Sequence, residues 1–367
     1  ETGAIYGKVT DIETNYEIIS TIENGVESKY LSQLPVAKIL STNEEYFNIQ
    51  DAINSSNDGD TIQLLRDITT ISSSSSIIIG EDKNVILDFN SYTINVSNEK
   101  AFINNGILKI IDSNDVTKGM ILSKCVIAIE NNGTLSVDNI KISIDLALKI
   151  LINNNGTLNL LGGEVSSGYD VSDFNSSVIN NNENATFTMT GGTISKVDES
   201  AILLKNIGTA DITGGKLEVK PVEDSMRIKN AAIDNGKTGI LNVSNIEYVN
   251  SYIHPVSGYG STFVSNYGIS NLSNIVTNST INNYDNGTIK IIDSTISLVG
   301  KNTINNESTG TVNVTGTTNI TSTENHGIYN ESTGSINIGE KDGNVSIETP
   351  IITGKTYGVS NNNNNGI

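Results

Sequence analysis

The chain has 367 residues, 22 basic against 41 acidic side chains, and a net charge near −19. That charge argues against nucleic acid as a partner, because phosphate backbones would be repelled, and against an anionic membrane surface for the same reason. A single cysteine, Cys125, excludes an internal disulfide framework, and no apolar run reaches the ~18–20 residues of a membrane span.

Residues 1–46 are expected to form a lead-in region, either a small β-rich cap or a linker, with Glu1-Thr2-Gly3 reading as a vector-derived junction. In residues 47–70 the spacing of Phe47, Gln50, Ala52 and Ile53 predicts a short helix with Asn48 as its N-cap. Asn57-Asp58-Gly59 is a turn, and Thr61-Ile62-Gln63-Leu64 is a strand.

From about residue 100 a unit of about 23 residues recurs to the end of the chain. Its copies include Asn104-Asn105-Gly106-Ile107-Leu108-Lys109-Ile110, Asn131-Asn132-Gly133-Thr134-Leu135-Ser136-Val137 and Asn154-Asn155-Gly156-Thr157-Leu158-Asn159-Leu160. Aligned on the turn, the apolar pairs are Leu108/Ile110, Leu135/Val137, Leu158/Leu160, Phe187/Met189, Ala210/Ile212, Leu241/Val243, Ile289/Ile291, Val312/Val314 and Ile336/Ile338. Alternation at period two buries one face of a strand, and the density of Gly, Asn, Thr and Ser opposes helix. A second strand follows Gly-Gly turns (Val165, Ile194, Leu217), and a third precedes the next Asn turn (Ile150-Leu151-Ile152, Val178-Ile179, Ala231-Ala232-Ile233).

Three short strands per unit make one coil of a parallel β-helix, and about eleven coils fill residues 47–367. A coil cannot bury its own apolar face, so stability comes from stacking. Asn104, Asn131, Asn154, Asn180, Asn235, Asn282, Asn305, Asn330 and Asn361 align at one turn; Asn tolerates the left-handed conformation and stacked amides bond from coil to coil. The last residues, Val359-Ser360-Asn361 to Gly366-Ile367, open a further unit, so the array is expected to continue.

The helix, the Gly59-Asp60-Thr61-Ile62 strand and Val85–Ile94 resemble the opening of the right-handed parallel β-helix (pectin-lyase-like) superfamily. The wording Gly327-Ile328-Tyr329-Asn330-Glu331-Ser332-Thr333-Gly334 resembles the repetitive surface proteins of low-GC Gram-positive bacteria. The resemblance implies a right-handed solenoid and an extracellular, cell-surface or cell-wall location.

Catalytic signals are sparse. Arg227-Ile228-Lys229 matches a polygalacturonase element, but the companion Asn-Thr-Asp, Asp-Asp and Gly-His-Gly elements are missing. Asp88 with Asp112 on neighbouring coils is a candidate carboxylate pair, although no adjacent-coil acids share one turn with flanking aromatics. Only His254 and His326 could serve as imidazole ligands, so no metal and no cofactor is expected. The anomaly lies at residues 246–267, where Tyr248, Tyr252, His254, Tyr259, Phe263 and Tyr267 crowd one stretch of a chain that is otherwise poor in aromatics and lacks Trp. Long loops that interrupt a solenoid often carry binding, and Tyr gives large contact area at low entropy cost. Weaker candidates are Tyr169 with Phe174, and Pro221 with Met226 and Arg227.

The reading is a monomeric bacterial adhesin-like protein, not an enzyme, that recognises a host extracellular protein or glycan through lateral loops. The alternatives are a polysaccharide lyase or glycoside hydrolase on the same fold, and a stalk that binds nothing.

Overall fold

The computed structural model describes residues 3–4, 16–23, 26–70, 76–96, 100–114, 120–123, 127–144, 150–167, 176–197, 202–220, 231–249, 262–339 and 349–362. It is an all-β parallel solenoid. The strands that follow the Asn turn, such as Ile107–Ile111 and Thr134–Asp138, stack in a fourteen-stranded sheet. Those that precede it, such as Lys100–Asn104 and Ile127–Asn131, stack in a twelve-stranded sheet. Every apolar pair aligned from the sequence stacks in register in the first of these sheets. The third strands form two sheets, of seven and five strands; one ends at Lys216–Lys220 and the other begins at Glu247–Tyr248.

Coil spacing averages about 25 residues, with about nine coils, against the 23 and eleven read from the sequence. The difference lies in uneven turns: one step, Asn266 to Asn283, takes 17 residues, and two others take 31. Loops vary in length while the strands hold register, because each strand must place the same side chains over the core.

The core is a column of Ile, Leu, Val and Phe running the length of the stack. Beside it runs a buried amide ladder: Asn104, Asn131, Asn154, Asn181, Asn206, Asn235, Asn266, Asn283, Asn306 and Asn330, continuing to Asn361. Each Nδ2 donates to the next Oδ1, and most also donate to a turn carbonyl. This corrects the sequence alignment: Asn181, Asn283 and Asn306 occupy the column, not Asn180, Asn282 and Asn305, and Asn206 and Asn266 belong to it. At Asn104 the ladder starts, because the residue beneath it is Ile79; its Oδ1 is buried without a partner among the described residues.

The blurred coil between Gly239 and Gly287 is Ile269–Ser273. Ser270 stands where neighbouring coils carry Leu241 and Ile289. It is fully buried and donates from Oγ to Asn266 Oδ1 at 2.7 Å, so the ladder absorbs the hydroxyl that the apolar core would reject. The Gly-Gly turns need their second glycine. Gly163 has φ +80°, and a Cβ there would lie 2.2 Å from the Ile140 carbonyl oxygen of the coil below.

A helix, Ile49–Ser55, precedes the first coil; Asn48 Oδ1 accepts from the Gln50 N–H at 2.8 Å. Ile49, Ala52 and Ile53 are buried, but Phe47 lies before the helix and is exposed. The Gln50 amide accepts from Ile78 N and donates to Ile78 O, both at 2.8 Å, and so satisfies the edge of the twelve-stranded sheet as a strand would. Strand Ala37–Ile39 adds antiparallel to Asp60–Leu64, and Glu44–Tyr46 adds antiparallel to Ala37–Ile39. A separate antiparallel hairpin, Tyr16–Glu23 with Val26–Gln33, carries exposed Ile22 and Val26.

Candidate functional site

Of the six aromatic or histidine positions singled out in the sequence, Tyr252, His254 and Tyr259 lie outside the described residues. Tyr248 and Phe263 are core side chains, 3% and 0% exposed, and their rings stack at 4.9 Å. Burial pushes the Tyr248 hydroxyl far above the ordinary tyrosine range. The expectation that these two rings face a partner is therefore corrected: each occupies an inward strand position, where an aromatic fills the space that Ile or Leu fills elsewhere. Of the three described positions, Tyr267 is the one left half-buried at the surface. Tyr169, Phe174, Pro221, Met226, Arg227 and Cys125 also lie outside the described residues.

Tyr267 belongs to a site that the sequence reading did not assemble. The residue after each ladder Asn points outward, and along the stack this column reads Ile207, Gly236, Tyr267, Tyr284, Glu307 and Glu331. Tyr267 and Tyr284 stack with centroids 4.8 Å apart and planes 18° apart. That separation equals the ~4.8 Å rise between strands, so the fold itself sets the stack. Glycine at 236 leaves no side chain in the column immediately before Tyr267. A recess of about 640 Å³ opens beside Tyr267, lined by Lys237, Tyr267, Asp285, Asn286, Ser308 and Thr309 among others.

The electrostatics are mostly negative. Lys237 Nζ lies 2.9 Å from Asp285 Oδ2, crossing the intervening coil that carries Tyr267; this bond raises the lysine above its ordinary value. Burial raises the Asp234 carboxyl, opposed by Lys205. Loss of surrounding water and then the neighbouring Glu331 raise Glu307. Tyr284 is pushed up to about 12, first by burial and then by Glu307. Tyr267 is raised by burial, then by Asp234, Asp285 and Glu307. Stacked rings, hydroxyls, an amide and carboxylates that lack full compensation can hold a polar, hydroxyl-rich ligand with an apolar face.

Glu307 and Glu331 are adjacent-coil acids in one column with Tyr267 and Tyr284, against the expectation that no such arrangement occurs. The register slip of one residue at Asn282 and Asn305 hid it; aligning on the second Asn of each pair recovers the column. The carboxylates proposed from sequence behave otherwise. Asp88 is buried and accepts from Gln63 Nε2, Asn90 N and the N–H and Oγ of Ser113, while Asp112 accepts from Ser91 N and Asn114 N. They pin turns between coils. Arg66 Nε donates to the Pro35 carbonyl at 2.7 Å, tying the lead-in to the first coil. His326 stacks between Tyr329 and Tyr357, at 5.4 and 5.6 Å.

Comparison with protein-family models, with curated proteins and with solved structures finds no match for this chain. Among the described residues no cluster of three His, Cys, Asp or Glu could hold a metal ion, and no helix is long and apolar enough to cross a membrane. A second cleft, of about 600 Å³, lies where the two sheets of third strands meet, between Lys216–Lys220 and Glu247–Tyr248. Glu218 there is paired with Lys216 at 2.8 Å and Lys220 at 3.6 Å, so its charges are internally balanced.

Proposed function

We propose that this chain is an adhesin-like protein of a bacterial surface or secretion, which recognises a host extracellular glycan or protein on the flank of its solenoid. The observation that carries the reading is the Tyr267–Tyr284 stack beside an open recess of about 640 Å³. Rigid aromatic faces next to short polar side chains are what binding surfaces use to gain contact area with little ordering cost. The right-handed, pectin-lyase-like topology and the low-GC Gram-positive origin belong to the same proposal, on the strength of the coil wording. Residues 1–46 would shield the first coil, a role that the antiparallel pairing of Ala37–Ile39 with Asp60–Leu64 supports.

One observation favours a second reading. Glu307 and Glu331 sit on adjacent rungs, ~4.8 Å apart along the backbone, and retaining glycosidases hold two carboxyls about 5–5.5 Å apart. Those enzymes place the carboxyls on either side of the scissile bond, whereas both glutamates here project from one column on one face. The geometry supports binding over hydrolysis.

The test is a screen of the chain against an array of host extracellular glycans and proteins, run beside a reducing-end assay on the glycans. Saturable binding without turnover is expected. Turnover lost in Glu307→Gln would overturn the binding reading in favour of the enzyme, and a wholly negative screen would leave a stalk.

A further inference from the structure

The recess carries its own indication of ligand charge. Lys237 reaches over the coil of Tyr267 and Gly268 to place an ammonium 2.9 Å from Asp285 Oδ2. Its side chain is 78% exposed and that of Asp285 48%, so the pair is solvent-screened and contributes little to stability. An ammonium held this loosely can be exchanged for another. Of the other charges around the stack, Asp234 is opposed by Lys205, whereas Glu307 and Glu331 are neighbouring carboxylates. The neutral groups at the rim, Asn286, Ser308 and Thr309, donate and accept as sugar hydroxyls require.

We propose that the recess beside Tyr267 binds glycans that carry free, protonated amino groups, with the ligand ammonium displacing Lys237 from Asp285 and a sugar ring lying against the tyrosine. This deepens the functional reading above and rests on its glycan arm. The column runs along the solenoid axis with a rise of ~4.8 Å per coil, so an extended chain of linked sugars can meet Tyr267, Tyr284 and Glu307 in succession. A sulfated or carboxylated glycan would instead meet like charge and be rejected.

Calorimetry with a fully deacetylated glucosamine hexamer and an N-acetylglucosamine hexamer, at about pH 6 in physiological salt, tests this. The deacetylated hexamer should bind at least ~tenfold tighter, a difference of ~1.4 kcal/mol. Asp285→Asn should weaken it by a similar factor. Lys237→Met should strengthen it about threefold, because the resident competitor is gone. Glu44→Gln/Glu45→Gln, which removes two acids far along the stack, should leave it unchanged. Equal binding of the two hexamers, full affinity in Asp285→Asn, or an equal loss in the Glu44/Glu45 variant would overturn the proposal. If neither hexamer binds while a host protein does so at the recess, the amine proposal falls and the functional reading stands. If nothing binds, both fall.

Discussion

Asn266 Nδ2 donates to Asn283 Oδ1 at 2.8 Å across the shortest step of the ladder, 17 residues. Tyr267 and Tyr284 are the residues that follow, so this buried bond sets the spacing of the half-buried stack. Asn266 Oδ1 also accepts from Asn235 Nδ2 and Ser270 Oγ. Asn266→Ala therefore strands several buried polar groups, each costing ~1–3 kcal/mol, and should destabilise the chain by about 3 kcal/mol in urea. Asn104→Ala should cost less, because the Asn104 Oδ1 has no partner to lose.

Core and surface aromatics should separate cleanly. Phe263→Ala empties a fully buried site beside Tyr248 and should cost about 3–5 kcal/mol. Tyr267→Ala removes one half-buried stack and should cost about 1 kcal/mol. Thermal melts of the two variants check this; equal losses would mean that Tyr267 is a packing residue.

The pH dependence has a defined sign. Asp234 and Glu307 are raised in the folded chain, so their ionised forms disfavour folding near neutrality. As pH falls from about 7 toward their folded values this cost is relieved, and the net charge of −19 is reduced with it. Asp60 is lowered, first by the Ser41 hydroxyl, and Glu218 is lowered, first by Lys216. Their contribution is present above the ordinary carboxylate range and is lost as pH falls through their depressed values. The melting temperature should rise from pH 7 to about pH 5 and fall below about pH 4. Asp234→Asn should shrink the first change.

The Gly-Gly turns give a local test of stacking. Gly163→Ala forces a side chain into a left-handed conformation and against the Ile140 carbonyl. A loss of about 2 kcal/mol or more is expected in chemical denaturation, whereas alanine at exposed Gly59, which has open space around it, should cost only the backbone strain of ~1 kcal/mol.

The solenoid was legible because its signal is a repeated inward strand pair, and nine such pairs fix one register. The third strands were legible for the same reason. What the sequence hid was governed by single residues. Ser270 in place of a Leu or Ile blurred one coil, since a hydroxyl reads as surface until the Asn266 amide that holds it is known. Runs such as Asn180-Asn181-Asn182 and Asn282-Asn283 left the ladder ambiguous by one position, and a slip of one turns an outward Tyr284 or Glu307 into an anonymous turn residue. Local crowding of aromatics pointed to residues 246–267, but strand parity buries Tyr248 and Phe263 and leaves Tyr267 half-buried at the surface. Lys237 and Asp285, 48 positions apart, meet only because the intervening coils are stacked.

The most direct measurement is competition at a host cell surface. Labelled chain is bound to cultured epithelial cells and displaced by unlabelled wild type or by Tyr267→Ala/Tyr284→Ala, read by flow cytometry with circular dichroism as the folding control. Wild type is expected to displace the label, and the double variant, still folded, to do so at least ~tenfold less well. Equal displacement by the two proteins would contradict the assignment of this flank as the binding site.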